Sequence, residues 1–126
     1  MIPKFIKQLK EGKKLTIHGK GDTRRNFIWA EDVASATELI FHKGEINEIY
    51  NIGTTQEFSV MDVAKILIGR LTEDKVLENH ITFVEDRPFN DFRYSVDRTR
   101  LMELGWQEVH TEFVENIDLL LSLSSV

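Results

Sequence analysis

Ile49-Tyr50-Asn51-Ile52-Gly53, followed by Ser59-Val60-Met61-Asp62-Val63-Ala64, decides the fold class. The first four residues are strand formers in a near-continuous run, the pattern found where both faces of a parallel strand are covered, and Gly53 bounds them. Ser59 and Asp62 have the spacing of a capping box. Val60, Val63, Ala64 and Leu67 then fall on one face of the helix that follows. Strand, loop and helix in that order indicate an α/β chain and a strand that needs neighbours.

Working outward toward the N-terminus, Glu31 and Asp32 sit at the positive end of a helix whose stripe is Val33, Ala36, Thr37, Ile40 and Phe41, closed by Gly44. Before it, Asn26-Phe27-Ile28-Trp29 and Leu15-Thr16-Ile17-His18 read as strands, joined through the turn residues Gly19-Lys20-Gly21-Asp22. Gly19-x-Gly21 lacks a third glycine and a following helix, so a plain turn is favoured over a dinucleotide loop. Pro3 suits a first helical turn; Ile2, Phe5, Ile6 and Leu9 repeat at helical spacing, and Gly12 offers a left-handed stop. Toward the C-terminus, 71–79 is charged and irregular and Ile81-Thr82-Phe83-Val84 reads as a strand. Asp97 is placed to cap a helix carrying Leu101 and Leu104, which Gly105 ends and against which Trp106 packs back. Thr111 opens a last helix with Phe113, Ile117, Leu120 and Leu121 on one side, and 122–126 form a fraying tail.

Directly after the strand at 81–84 comes Glu85-Asp86-Arg87-Pro88-Phe89-Asn90-Asp91-Phe92-Arg93-Tyr94. An arginine fork matches phosphate oxygens two at a time, and Asp86 and Asp91 are placed to hold such forks from behind. The end of a strand is also where α/β proteins put ligands. From the loop alone, a phosphate-binding segment and a solvated loop of self-paired charges stand level. Arg24-Arg25, after the glycine turn, offer a second guanidinium site suited to a diphosphate, although that segment by itself favours a solvated hairpin end. The histidines His18, His42, His80 and His110 lack metal-ligand spacing. Ser59 is explained as a cap, so neither a metal nor a nucleophile is assigned.

With 126 residues, 41% of them hydrophobic, one domain spanning 1–126 is expected. A net charge of -5 disfavours nucleic-acid binding through Arg24, Arg25, Arg98 and Arg100. The lack of cysteine excludes disulfides and thiolate metal sites. Apolar runs are too short for a membrane span or a signal peptide, and a cytoplasmic location is expected.

The ordered set Ile2-Pro3-Lys4-Phe5-Ile6, Ile17-His18-Gly19-Lys20-Gly21, Arg24-Arg25-Asn26-Phe27, Glu31-Asp32-Val33-Ala34, Ile49-Tyr50-Asn51-Ile52-Gly53 and Asp86-Arg87-Pro88, followed by Asp91-x-Arg93-Tyr94, resembles the C-terminal half of nucleoside-diphosphate-glucose 4,6-dehydratases. These are extended short-chain dehydrogenases/reductases, and the dTDP-glucose enzymes are the type most resembled. The resemblance implies the C-terminal part of an extended Rossmann-type fold: a mixed α/β substrate-binding lobe with short strands and about five helices. The N-terminal NAD-binding half would be absent.

Roles follow from the same resemblance. It makes Arg25 and Arg87 the pyrophosphate ligands, sets Thr16-Ile17-His18 beside the nucleotide base and puts Pro3 and Lys4 on the helix bordering the nucleotide. Asn90 and Tyr94 become substrate contacts. Phe92 stands where many relatives carry another arginine, and His18 where many carry tyrosine. The family oxidises the sugar at C4 with NAD, eliminates water across C5 and C6 and returns the hydride to C6. Its glycine-rich NAD loop and catalytic tyrosine and lysine have no counterpart in this sequence, so the chain alone is expected to bind a nucleoside-diphosphate hexose, hold no NAD and be inactive. A complementary N-terminal NAD-binding polypeptide or self-association would complete it. The alternative is a non-catalytic interaction module, or diverged remnant, that uses the same fold to dock a partner.

Overall fold

The computed structural model describes residues 1–123. Its elements in order are α1 (Ile2–Lys10), β1 (Leu15–His18), β2 (Arg24–Asn26), α2 (Ala30–Lys43), β3 (Glu57–Ser59), α3 (Val60–Leu71), α4 (Leu77–His80), β4 (Ile81–Val84), α5 (Thr99–Glu103) and α6 (Phe113–Leu123). β1 and β4 pair in parallel with Leu15 opposite Ile81 and His18 opposite Val84, and β2 pairs with β3 in a second two-stranded sheet. The mixed α/β class expected from the sequence is the one observed. The sixth helix is the single turn α4, inside a stretch whose charge pattern suggested only irregular chain.

The described residues divide into two compact units, one built from Met1–Arg25 and Phe58–Arg93, the other from Asn26–Glu57 and Tyr94–Leu123. In the first, α1, α3 and β1 pack on one another. Pro3 lies in the first turn of α1, where its missing N–H costs nothing, and Phe5, Ile6 and Leu9 are buried, while Gly12 takes φ +68° just past the helix end. α3 begins with the complete capping box: Ser59 Oγ accepts from the Asp62 N–H at 3.0 Å, and the Asp62 carboxylate accepts from the Ser59 N–H at 2.9 Å. Val63, Ala64, Leu67 and Ile68 form its buried face, facing the demand set by buried Leu15 and Ile17 of β1.

In the second unit, Ala36 of α2, Leu101 of α5 and Trp106 form a buried cluster against which Ile28, Leu39, Ile40 and Ile52 pack. The Trp106 indole N–H donates to Ser35 Oγ at 3.1 Å, satisfying its polar end. Phe27 and Phe113 rings lie 5.0 Å apart. Gly105, at φ +96°, follows α5 as its glycine position requires.

Several local expectations are corrected. Residues 49–52 form no strand, and Ile49 is 76% exposed. The described residues supply no neighbouring strand for that run, so it has no ladder to join. The strand expected at 26–29 ends at Asn26, although Phe27 N–H still donates to the Gln56 carbonyl at 3.1 Å. Phe41 leaves the predicted buried stripe of α2 for solvent. α5 starts at Thr99, with Asp97 two residues ahead and its carboxylate accepting from both the N–H and hydroxyl of Thr99. α6 opens at Phe113, not Thr111, and carries Ser122 within it; 124–126 lie outside the described residues.

Candidate functional site

The first unit assembles its site at the carboxyl ends of β1 and β4. The ladder is prolonged there by the Gly19 N–H donating to the Val84 carbonyl at 2.9 Å. Gly19 and Gly21 have φ of +57° and +71°, conformations that turn the chain at small cost only without a side chain. A Cβ on Gly21 would stand 2.8 Å from Ile17 Cγ2. The turn is tied to the start of α3 by the Met61 N–H donating to the Gly21 carbonyl and the Val60 N–H to that of Thr23. It leads into β2 and not into a helix, so these glycines do not fit a dinucleotide phosphate loop.

The arginine loop leaves β4 at Val84 and is held at its far end. Arg24 N–H donates to the Phe92 carbonyl at 2.7 Å, and Arg24 and Arg93 form an isolated parallel bridge. Beside that bridge, Arg25 reaches into the loop. One terminal nitrogen of its guanidinium donates to the carbonyls of Arg24, at 2.7 Å, and Asp91, at 3.0 Å; the other donates to Asn90 Oδ1 at 3.2 Å. Asn90 Nδ2 in turn donates to Asp86 Oδ1 at 2.9 Å, and the same oxygen accepts the Arg87 N–H at 2.8 Å. The second guanidinium site read from Arg24-Arg25 is therefore bonded directly to the segment carrying Arg87, across more than sixty residues of sequence.

Asp86 braces this loop through Asn90 and the Arg87 backbone, in place of the arginine fork expected of it. Arg87 is exposed, as is the whole turn at Pro88–Phe89. Ile17 is 0% exposed, so its side chain belongs to the core and only its backbone is available to a ligand. Thr16 is half-buried, its hydroxyl accepting from Gln8 Nε2 at 3.5 Å. His18 is half-buried at the strand end, with Nδ1 buried and lacking a hydrogen-bond partner among the described residues. Pro3 and Lys4 are exposed in the first turn of α1 and are not part of the bonded cluster around Arg25. Tyr94 is exposed and falls in the second unit.

The remaining charges are mostly structural. Bonds from the Ser59 N–H and hydroxyl hold the Asp62 carboxyl below its ordinary range, against a smaller opposing effect of burial and with help from Arg24 and Lys65. In the second unit Arg98 pairs with Glu108 at 2.9 Å and Arg100 with Glu48, so with Arg25 three of the four arginines considered for nucleic acid are engaged within the protein. Sequence reasoning missed Asp32. Assigned to the helix dipole, it is 2% exposed and accepts from the backbone N–H groups of Val109 and His110 at 2.9 and 3.0 Å and lies 3.2 Å from His110 Nδ1. Trp29 stacks on the His110 ring at 5.1 Å. Only the position of an acid just inside a helix start hinted at it. No group of three potential metal ligands converges among the described residues. No described helix is long and apolar enough to cross a membrane.

Residues 1–53 match the NAD dependent epimerase/dehydratase family. The chain is 50% identical over 108 residues to a trifunctional UDP-glucose 4,6-dehydratase/UDP-4-keto-6-deoxy-D-glucose 3,5-epimerase/UDP-4-keto-L-rhamnose-reductase of Arabidopsis thaliana, covering 86% of this chain and 16% of that one. It is 44% identical to the dTDP-D-glucose 4,6-dehydratase of Homo sapiens, covering 85% of this chain and 31% of the human one. A dTDP-glucose 4,6-dehydratase from Streptomyces venezuelae, solved with NAD, superposes with a TM-score of 0.83 at 27% identity over 97% of this chain and 38% of that one. The UDP-glucose 4-epimerase of Thermotoga maritima, solved with UDP-glucose, gives 0.81 at 25% identity over 96% of this chain and 38% of that one.

By fold and sequence the chain matches a fragment of an extended short-chain dehydrogenase/reductase. Within that family it matches a fragment of the nucleotide-sugar 4,6-dehydratases and spans between about a sixth and a third of the length of the curated relatives named above.

Proposed function

We propose that this chain forms the nucleotide-sugar-binding portion of a 4,6-dehydratase and that its first unit grips the diphosphate of dTDP-glucose or UDP-glucose. The observation that carries this reading is the attachment of the Arg25 guanidinium to Asn90 and Asp91, inside the loop that presents Arg87. Two donor-only cations with planar forks, held to one loop, suit two linked phosphates better than one. The Thr16–His18 strand end borders the base through backbone and imidazole, Pro3 and Lys4 flank the nucleotide from α1, and Asn90 keeps one further bond at each end of its amide for substrate. The hydride and proton transfers of the family reaction fall in this reading to residues outside those described. Titration calorimetry of the folded chain with dTDP-glucose and UDP-glucose tests the assignment. Binding of either at micromolar to millimolar concentration supports it, and heat from neither refutes it.

Exposed Phe41, Ile46 and Ile49 in the second unit favour a second reading in which the chain also associates with another polypeptide or with itself. Sedimentation velocity over a concentration series distinguishes a monomer from such an assembly.

A further inference from the structure

We propose that Asp86 is the positioning residue of the arginine clamp, and that Asn90 is the polarity adapter through which it fixes Arg25. The inference rests on the nucleotide-sugar reading and adds to it the device that sets the spacing of the two guanidinium groups. A carboxylate accepts hydrogen bonds and a guanidinium only donates them. Asp86 Oδ1 takes the Arg87 N–H at 2.8 Å and the Asn90 amide NH₂ at 2.9 Å. By claiming the NH₂, it turns the Asn90 carbonyl oxygen to the other side, where Arg25 donates to it at 3.2 Å. The same carboxylate therefore sets the backbone that carries Arg87 and, through one amide, the guanidinium of Arg25.

The perch for this carboxylate is built into the strand end. Gly19 has φ +57°, and a Cβ there would lie 2.9 Å from Asp86 Oδ2. Gly19 thus leaves the space that the carboxylate fills, and its N–H is already anchored to Val84 at the end of β4. Glycine turn, carboxylate, amide and guanidinium make a continuous chain of contacts within one unit, with strict alternation of acceptor and donor. Such alternation makes Asp86 act on Arg25 only through Asn90, so removing either side chain opens the same path.

The experiment is a double-mutant cycle of Asp86→Ala, Asn90→Ala and the two combined, with binding of UDP, dTDP and the corresponding mononucleotides followed by calorimetry. Each single change should weaken diphosphate binding roughly tenfold or more, the scale of one charge-assisted bond, with a smaller effect on the mononucleotide. In the combined variant the two losses should not multiply, because Asp86 acts on Arg25 through Asn90; affinity should stay within about threefold of the weaker-binding single variant. A second readout needs no ligand: the Asn90 side-chain NH₂ proton resonances of the parent should be slow to exchange and should become fast in Asp86→Ala. Failure of the parent to bind any nucleotide, with the Asn90 protons protected, removes the nucleotide reading and leaves the positioning network standing. Equal losses for mono- and diphosphate, a combined variant whose loss is the product of the two single losses, or unprotected Asn90 protons in the parent would each overturn the assignment of Asp86.

Discussion

Arg25 and Arg87 carry the same charge but have different jobs in the structure, and substituting each by alanine separates folding from binding. Arg25 donates hydrogen bonds to the carbonyls of Arg24 and Asp91 and to Asn90 Oδ1. At about 0.5–1.5 kcal/mol net each, and with the low end appropriate to the exposed Asp91 bond, loss of these bonds in Arg25→Ala should cost about 1.5–3.5 kcal/mol. That is a visible part of the roughly 5–15 kcal/mol that holds a domain together. Arg87 is exposed, and its substitution should change stability by no more than about 0.5 kcal/mol. Both should lose diphosphate affinity by about 10- to 100-fold, since each removes one charge-assisted fork. Arg25→Lys should fall between, because a single ammonium cannot span the Asn90 oxygen and the Asp91 carbonyl as the planar group does. Urea denaturation followed by circular dichroism, paired with calorimetry using UDP-glucose, measures both quantities on one sample. A drop in the denaturation midpoint for Arg87→Ala as large as that for Arg25→Ala would refute the division of roles, as would an Arg25→Ala protein unchanged in both.

Asp32→Asn should destabilise the protein by about 1–3 kcal/mol, since the amide can no longer accept from Val109 and from both nitrogens of His110. Burial pushes the Asp32 carboxyl up, but those bonds outweigh it and hold the group below its ordinary range. The stabilisation it gives is therefore complete above its unfolded value of about 3.9 and is lost as pH falls through the folded value. Acid titration of unfolding free energy should accordingly fall more steeply in that window for the parent than for Asp32→Asn, and parallel curves would remove this account. Ser59→Ala should cost about 1 kcal/mol by opening the capping box, and the Asp62 carboxyl, keeping the Ser59 backbone N–H but losing the hydroxyl, should titrate higher by carbon-detected NMR. Leu101→Ala, at the centre of the cluster with Ala36 and Trp106, should lose about 2–5 kcal/mol in thermal or urea melts; a loss below 1 kcal/mol would mean the cluster is not closely packed.

What the sequence made legible was whatever a segment satisfies within itself or with its immediate partner. The capping box of Ser59 and Asp62 is a four-residue device and is present with both bonds. Pro3 and Gly12 mark the ends of α1, and β1 and β4, each expected as a short strand, pair in register. The tether from Arg25 to the arginine loop was legible only as two separate cationic segments, because pairing across sixty residues depends on the turn at Gly19–Gly21 and the bridge from Arg24 to Arg93. The role of Asn90 between Asp86 and Arg25 left no trace, since an amide in a charged loop has many possible partners and only coordinates choose among them.

Residues 49–52 show the converse limit. Their apolar character correctly reports a demand for burial, yet Ile49 stands exposed while Ile52 joins the Trp106 cluster. Periodicity states how much surface a segment needs covered, and not which backbone will supply the hydrogen bonds. Where the chain holds the partner, as β4 does for β1, the strand forms; where the described residues hold none, the same strand-forming side chains leave the segment outside any ladder, with Asn51 donating its side-chain amide to the Asp97 carbonyl at 2.9 Å. Exposure at Ile49 thus marks an unmet local demand, while the arginine loop in the first unit is met within that unit by bonds from Arg25 to Asn90 and Asp91 and from Asn90 to Asp86.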